Sequence, residues 1–442
     1  MKSIAVIGTG ISGLSAAWLL SKSHRVTVYE KQDRLGGHSN TVEVDGHAID
    51  TGFIVFNNKN YPNLVGLFDE LKIRSLKTEM SFSVSMNNGS WEYGGSGLAA
   101  LFAQKRNLLR PSFIKMLLDI KKFYEEAPNL QFDFLGRNLT LGEYLKQGGY
   151  SDAFIRKHLL PMGAAIWSTP ANDMLDYPAE TFVRFCDNHG LLQIADRPEW
   201  RTVSGGSRTY VNKIAEQISG DIRLNSVVTN ISTTREGVFV ECRNGHIDRF
   251  DDVVIATHAD QALSFLKEPA PEYTKLLGAF PYEKNLAVLH TDETLLPKRK
   301  KTWSSWNYLS QEGKTGEEQK LCVSYWMNKL QHIQSEKNYI VTLNPISPPK
   351  EGTILRSFPY EHPIFDSQSI AAQKMLWNLQ GKNNLWFCGS YFGYGFHEDG
   401  IQSGLAVAEA IGGAQRPWNF SLRKSRISLP EYGKNNQKER VD

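Results

Sequence analysis

Two stretches of this 442-residue chain place glycines, acids and a histidine at spacings that could carry chemistry. The first, "GTGISG" at residues 8–13, stands between a β-rich run and a helix-forming run, and the strand that follows ends in Glu30. The second, "FCGSYFGYGFHEDGIQSG" at residues 387–404, places His397, Glu398 and Asp399 directly before a helix-like run. A glycine turn of the first kind binds the pyrophosphate of a dinucleotide, and the second stretch offers groups that could move a proton.

The pattern around the first stretch predicts a strand, the GxGxxG turn, a helix and a second strand that ends in an acid. In this context a GxGxxG motif indicates dinucleotide binding. Gly8 allows the tight turn, Gly10 lets the backbone approach a pyrophosphate, and Gly13 permits close packing of helix on sheet. The helix N-terminus favours the phosphate charge. Glu30 is placed to accept hydrogen bonds from an adenosine ribose and disfavours a 2′-phosphate, so the motif argues against NADP and leaves NAD and FAD open.

The residues after Glu30, "EKQDRLGGHSNT", hold a cation and a second glycine pair, Arg34, Gly36 and Gly37. They could supply another clamp on the pyrophosphate or let the chain pass close to a bound cofactor. A surface turn with an isolated arginine would explain the same residues.

The run "VIGTGISGLSAAWLL", with "VTVYEKQDRLGGH" after it, resembles the N-terminus of the flavin amine oxidase superfamily, which includes monoamine oxidases, phytoene desaturases and protoporphyrinogen oxidases. The E-x-x-x-R-x-G-G pattern of that superfamily is matched by Glu30, Arg34, Gly36 and Gly37. The resemblance implies FAD. We expect it to be bound non-covalently because no attachment motif is apparent, with a linkage to His38 or Cys388 as the alternative, and we expect no metal. The resemblance also implies an α/β fold with an α+β second domain: a Rossmann-type FAD-binding domain of the glutathione-reductase and amine-oxidase kind, and a substrate domain of mixed β-sheet flanked by helices.

We expect a discontinuous FAD-binding domain at 1–75, 200–285 and 380–416, a substrate domain at 76–199 and 286–379, and a polar, basic, flexible tail at 417–442. The resemblance implies that the chain passes the cofactor three times. The last pass brings a helix N-terminus to the flavin, where Ser390 replaces the usual acid of the superfamily. For Val228 an ordinary strand position is the alternative. The cofactor contacts implied are Gly8, Gly10, Ile11, Ser12, Gly13, Glu30, Lys31, Arg34, Gly36, Gly37, His38, Thr51, Gly52, Val228, Ala256, Gly389, Ser390, Glu398, Asp399, Gly400 and Ile401.

No general base stands out from the sequence, and the candidates for proton handling are His397, Glu398, Tyr394 and Lys284. Asp399 or Glu398 could instead cap the helix that they precede. For His397 a purely structural hydrogen bond is the alternative.

Within the superfamily the chain is most similar to a bacterial group of predicted NAD/FAD-binding oxidoreductases, through "DTGFIVFN", "PMGAAIWSTP", "RTVSGGSRTYV" and "GYGFHEDGIQSGLAVAEA". Members often lie in operons beside cyclopropane-fatty-acid-synthase-like methyltransferases. The resemblance therefore implies hydride removal from an unsaturated or methylated acyl chain, with a lipid methyltransferase as a candidate partner. A flavin-dependent double-bond isomerase, an amine oxidase and a non-catalytic flavoprotein that scaffolds lipid enzymes are the alternatives.

Composition bounds the partners and the compartment. Fifty basic against 47 acidic residues give a net charge of +3, which does not call for nucleic acid. The four cysteines are far apart, which argues against disulfides and zinc, and no apolar run spans a bilayer, so we expect a cytoplasmic protein. Residues 96–126, "KRKK" at 298–301 and the tail are locally basic, which favours contact with anionic membrane at its inner face, although solvated charged faces would explain them equally.

Overall fold

The computed structural model describes residues 1–130, 139–167, 173–188, 190–193, 197–312 and 320–429. Strands lie at β1 Ser3–Ile7, β2 Arg25–Tyr29, β3 Thr41–Val44, β4 His47–Asp50, β5 Val55–Asn57, β6 Ser75–Thr78, β7 Phe82–Met86, β8 Trp91–Gly94, β9 Trp200–Val203, β10 Gly220–Arg223, β11 Val228–Thr234, β12 Gly237–Cys242, β13 Ile247–Phe250, β14 Asp252–Ile255, β15 Tyr282–His290, β16 Trp306–Gln311, β17 Lys320–Trp326, β18 Ile340–Leu343, β19 Ile354–Pro363 and β20 Leu385–Phe387.

The α-helices are α1 Ile11–Leu20, α2 Pro62–Glu70, α3 Leu98–Leu101, α4 Pro111–Glu126, α5 Leu141–Gln147, α6 Asp152–Phe154, α7 Leu160–Trp167, α8 Ala179–Asn188, α9 Arg208–Gln217, α10 Ala259–Ser264, α11 Pro271–Leu277, α12 Met327–Leu330, α13 Ser367–Gln373 and α14 His397–Ile411. None of the helices in the described ranges combines the length and the apolar composition needed to cross a bilayer.

A five-stranded parallel sheet with the order β10-β2-β1-β14-β20 carries the glycine motif. Its central strands are short runs of β-branched and aliphatic residues buried on both faces, as parallel sheets require. The carboxyl ends of parallel strands share one edge, so Gly8, Ala256 and Gly389 meet there after β1, β14 and β20. Helix α14 packs on α1 at Gly404, where a Cβ would lie 2.2 Å from the Ser12 carbonyl oxygen.

A seven-stranded mixed sheet, with the order β19-β15-β18-β17-β16-β7-β8, forms the second large layer. Its neighbours pair antiparallel except for β7 and β16, which run parallel. Helices α4 and α7 bury apolar residues in the same core as this sheet. Smaller sheets, β11-β12-β13, β5-β9-β6 and β3-β4, complete the chain. The predicted fold class is confirmed, while the domain boundaries stay predictions.

The C-terminal segment differs from the flexible tail that we predicted from its composition. Trp418 stacks on Trp18 with ring centroids 6.0 Å apart, and Ile427 is buried. The Arg426 side chain is only 10% exposed and lies 3.6 Å from the Asp399 carboxylate. Composition failed here because a few apolar residues and one buried ion pair hold an otherwise polar segment. The rest of the predicted tail, residues 430–442, lies outside the described residues.

Candidate active site

One long cavity of about 1630 Å³ runs from the carboxyl edge of the parallel sheet to the seven-stranded sheet. Pockets for a single small ligand are usually about 300–1,000 Å³. The cavity therefore has room for a dinucleotide and a second molecule at once. Residues from all three glycine-containing stretches line it, namely Gly8, Gly10, Ile11, Ser12, Gly36, Gly37, Gly389, Ser390 and Gly400.

The N-terminus of α1 forms a cradle at one end of this cavity. Among the described residues no side chain caps α1, so the N–H groups of its first turn are available to a ligand. Gly8 has φ +99° and leaves no room for a Cβ, which would lie 2.9 Å from the Ala256 carbonyl oxygen. A Cβ at Gly13 would lie 2.0 Å from the Gly8 oxygen, whereas at Gly10 it would meet no described atom within 4 Å. Gly8 and Gly13 thus serve packing, and Gly10 keeps the cradle open.

The acid at the end of β2 is held beside this cradle. One Glu30 carboxylate oxygen accepts from the Thr9 N–H at 3.1 Å and from the Thr9 hydroxyl, and the other accepts from the Gln32 N–H at 2.9 Å. Lys31 and Val228 line the same part of the cavity. The fixed carboxylate lines the cavity beside the cradle, and its contact with a ribose stays a prediction.

Arg34 and His38 lie on either side of the second glycine pair. The Arg34 guanidinium donates to the Gly37 carbonyl at 3.0 Å and so braces the turn. His38 is stacked on Tyr360 at 4.8 Å, with His362 at 5.4 Å, and its Nε2 has no hydrogen-bond partner among the described residues. Burial, with His362 next to it, holds the pKa of His38 well below its ordinary value, so this imidazole is neutral.

Tertiary contacts bring residues to the cavity that the sequence did not single out. His258, Tyr360 and His362 line it beside Thr51 and Gly52. The Thr51 and Tyr360 hydroxyls are 2.8 Å apart, and burial lowers the pKa of His362 to about 4. These three side chains come from β19 and the end of β14, far from the glycine motifs in sequence, and no local pattern predicts them.

Glu398 and Asp399 do not line the cavity, which corrects their predicted cofactor contacts. Glu398 accepts from the Asn63 N–H at 2.9 Å, from the Asn63 side-chain amide at 2.8 Å and from the Leu64 N–H at 3.1 Å, so it caps α2. Burial raises its pKa to about 7. Asp399 accepts from the Phe396 N–H at 2.8 Å and caps its own helix, the alternative noted above. Ile401 is also absent from the cavity lining because it is buried in the core between α14 and α1.

The proton-handling candidates are equally divided. Lys284 is exposed on β15 and outside the cavity lining, since side chains alternate along the strand and Asn285 takes the buried side; its prediction is wrong. Glu398 is directed at α2, so its prediction as a proton carrier is wrong too. Tyr394 and His397 do line the cavity.

His397 is held on three sides. Its ring stacks on Phe53 with centroids 3.8 Å apart, and its Nε2 lies 2.7 Å from the Tyr210 hydroxyl and 3.4 Å from the Ser39 hydroxyl. Burial lowers the pKa of His397 to about 3 and raises the pKa of Tyr210 well above its ordinary value. A neutral imidazole that is hydrogen-bonded to the tyrosine hydroxyl shapes the cavity wall and is a poor base for a substrate.

The far end of the cavity is an aromatic chamber. Phe185 stacks on Phe396 at 4.9 Å, and Trp306 meets Tyr325 edge-on at 4.9 Å. Most charged lining residues are elsewhere: Glu30, Lys31, Asp33, Arg34, Arg243 and Glu361 at the nucleotide end, and the exposed Lys77, Glu79 and Glu199. The exposed Arg197 lies at the edge of the chamber, where burial and the Arg197 charge lower the pKa of His158 to about 4. The described residues that define the chamber wall are themselves uncharged. We define it by Tyr93, Tyr124, His158, Met162, Ala165, Phe185, Trp306, Tyr325, Phe358, Tyr394 and Phe396.

The family model of flavin-containing amine oxidoreductases matches residues 11–412. The chain belongs to this family. A Mycobacterium tuberculosis protein, named as a flavin-containing monoamine oxidase, is 25% identical over 287 residues, 63% of this chain and 62% of that protein. The 1-hydroxycarotenoid 3,4-desaturase of a Flavobacterium species is 31% identical over 156 residues, 31% of this chain and 29% of that protein. The matches thus span less than two thirds of these curated relatives.

Among solved structures, the CLA-producing fatty acid isomerase of P. acnes shares the fold with a TM-score of 0.66 at 13% identity, over 92% of this chain and 97% of that one. Membership of the family implies a flavin cofactor. The uncapped start of α1, the open space at Gly10 and the unpaired His38 Nε2 fit such a group. Arg34, Gly37 and Ser390 line the cavity next to that cradle and could hold its remaining parts.

Proposed function

We propose that the protein is an oxidoreductase that binds FAD non-covalently and oxidises an acyl chain, either unsaturated or methylated, held in the aromatic chamber. The observation that carries this proposal is the continuity of an uncharged aromatic chamber with the phosphate cradle in one cavity. Burying an ammonium group in such a chamber without a carboxylate would be costly, whereas an alkyl chain gains from every contact. The chamber chemistry therefore favours an apolar substrate over an amine.

The cofactor, when bound, supplies a hydride acceptor at flavin N5. The chain's own residues bind and orient. The N–H groups of α1 favour the pyrophosphate, and the start of α14 places a second positive helix end on the cavity at Gly400. At neutral pH His397 is a neutral imidazole and Tyr210 keeps its hydroxyl proton, and the two side chains together fix the wall. Aromatic rings exclude water from the carbon that loses hydride.

Desaturation removes a hydride from one carbon and a proton from its neighbour, so that a double bond forms and the two electrons leave with the hydride. The proton passes to water, because His397 is a poor base. Within the described ranges only one glycine motif opens a helix after a parallel strand, so no second dinucleotide domain is evident. We infer that oxygen, a quinone or a protein reoxidises the flavin.

The test is anaerobic reduction of the purified flavoprotein. Phospholipids with unsaturated, methylated or fully saturated chains, and a panel of amines, are added while the flavin absorbance is followed. We expect bleaching by an unsaturated or methylated lipid and a product that has lost two hydrogens. Ala165→Phe, which fills the chamber, should keep the flavin and lose the bleaching, because Ala165 lies in the lining and away from the cradle.

Other outcomes assign the alternatives. Lipid turnover without a change of mass would identify an isomerase, and bleaching by amines alone would identify an amine oxidase. Stable flavin absorbance with every compound would favour a scaffold and would overturn the proposed substrate.

A further inference from the structure

Five large apolar side chains are exposed within one short part of the chain. Leu98, Leu108, Leu109, Ile114 and Leu118 are 75, 54, 88, 39 and 59% exposed. They belong to α3, to the 3-10 turn Lys105–Leu109 and to α4. Contiguous exposed apolar residues on a soluble surface mark a site of interaction more often than single ones do.

Folding does not account for these exposed residues. Helix α4 already buries a complete apolar side, with Phe113, Met116 and Phe123 fully inside the core. Ile114 and Leu118 lie on the opposite side, one turn apart, and face solvent. Helix α4 is therefore apolar on the side that is buried in the core and also on part of the side that faces solvent.

Basic side chains surround the exposed leucines, and the fold brings in more of them from a distant segment. Arg106 and Arg110 donate to the Ser90 carbonyl, and Arg299 donates to the neighbouring Gly89 carbonyl at 3.1 Å. A Cβ built on Gly94 would lie 3.2 Å from Ala100 of α3 and 3.0 Å from Thr302, so the 3-10 turn Lys300–Thr302 adjoins α3. The two basic runs form one surface.

Much of this positive charge is uncompensated. Ion pairs engage Lys115, Lys121 and Lys122 with acids of α4, and they engage Arg299 and Lys300 with Glu92 and Glu293. In the described part of the chain no acid pairs with Lys105, Arg106, Arg110, Lys298 or Lys301. We call the surface formed by these five cations and the five exposed apolar residues the basic leucine face.

The same segments form a wall of the long cavity. Gly95 and Ser96 line the cavity three and two residues before Leu98, and Tyr124 of α4 lines the aromatic chamber. A molecule that covers the basic leucine face therefore lies beside the cavity.

We propose that the basic leucine face docks on the surface of an anionic phospholipid bilayer. The cations match the phosphate charge, and the leucines enter the boundary between headgroups and acyl chains, as an interfacial amphipathic segment does. A second copy of the chain or a protein partner would not require so many unpaired cations. Docking is independent of the proposed reaction, because it needs neither a substrate nor turnover.

The experiment measures sedimentation of the full-length flavoprotein with vesicles of phosphatidylcholine alone or of phosphatidylcholine mixed with phosphatidylglycerol. We expect binding to the anionic vesicles only, weakened by salt. The pair Leu108→Ser and Leu109→Ser should lower the partition coefficient by about tenfold or more. Each of Lys105→Gln and Lys301→Gln should lower it by about fivefold.

Matched controls are Ile247→Ser, whose side chain is 56% exposed on a distant hairpin, and the exposed Lys275→Gln. Both should bind like the wild type. Flavin content and melting temperature confirm that every variant is folded. Equal binding of the wild type to both kinds of vesicle would overturn the proposal. So would a Leu108→Ser, Leu109→Ser double variant that binds as strongly as the wild type. A third result would also overturn it: in sedimentation velocity without lipid, the wild type is an oligomer and the Leu108→Ser, Leu109→Ser double variant is a monomer. The basic leucine face would then be a contact between copies of the chain.

Discussion

His397, Glu398 and Asp399 are consecutive, yet their side chains have three different surroundings. Successive residues of a helix point about 100° apart, so one reaches the cavity, one reaches α2 and one returns to its own first turn. Glu398 satisfies the N-terminus of α2 with three accepted hydrogen bonds. This acid connects the start of one helix to the start of another, and its titration therefore affects stability.

Substitution Glu398→Gln tests that link through pH. Burial raises the pKa of Glu398 from 4.5 to about 7, so the folded state holds a proton that the unfolded state has released across this interval. Its contribution therefore makes stability fall as pH rises from 4.5 to about 7, by up to about 3 kcal/mol. Because glutamine does not titrate, the free energy of unfolding of Glu398→Gln should fall less over this pH interval than that of the wild type, by this same amount.

Urea unfolding at several pH values in this interval measures the difference. Glu268→Gln, at an exposed position, should keep the wild-type slope. Identical slopes for Glu398→Gln and the wild type would show that Glu398 does not carry the effect.

At the scale of elements, the N-termini of α1 and α14 meet at the cavity. A Cβ at Gly400 would lie 2.9 Å from the Ile11 side chain, so the two helix starts are in close contact. Each of these N-termini carries the positive pole of its helix dipole. Because no acid of the cavity lining lies between the two N-termini, they favour a bound anion. Gly8 serves packing, whereas Gly10 leaves space for a ligand. Substitutions at these two glycines therefore separate an effect on stability from an effect on flavin binding.

Gly10→Ala and Gly8→Ala form a matched pair. Gly10 has φ −60° and open space around its Cβ position, so alanine should leave the melting temperature of the flavin-free protein unchanged while reducing flavin binding at least about tenfold. Gly8→Ala should instead destabilise the fold by about 1–3 kcal/mol, because of its positive φ and the Ala256 oxygen.

Flavin content by absorbance and thermal unfolding of the flavin-free proteins separate the two effects. Full flavin content in Gly10→Ala would mean that the phosphates do not approach this residue.

On the scale of the whole molecule, the C-terminal segment packs against α1 and the start of α14. Trp418 packs on α1, and Arg426 lies between Tyr61 and the start of α14. The Arg426 guanidinium is the cation nearest to the buried Asp399, and its attraction opposes the burial that raises the pKa of that carboxyl. Two residues that are 400 positions apart, Trp18 and Trp418, therefore pack together beside the site.

Arg426→Met should destabilise the protein by about 3 kcal/mol, because it leaves Asp399 buried without its opposite charge. Adding Asp399→Asn should recover most of the loss. Urea unfolding of the two single variants and the double variant gives the coupling energy. Additive losses would show that the two side chains do not interact.

The sequence alone was sufficient for the glycine turn that opens α1, the fold class and the family. These depend on patterns within about 30 residues, where backbone conformation and helix-terminal chemistry are local. Gly8, Gly10 and Gly13 follow directly from such a pattern, and so does the acid at Glu30. The capping role of Asp399 could also be anticipated, because a cap involves only its own turn.

Tertiary structure alone decided which side chains face the cavity. Lys284 and Glu398 have plausible chemistry, but strand alternation and the position of α2 turn them away from the site. Tyr360 and His362 reach it from a strand more than 300 residues after the glycine motif. The contact between the two basic runs and the burial of Arg426 were also decided by tertiary structure. Contacts between distant segments depend on how whole layers pack, and no local pattern in a single sequence contains that information.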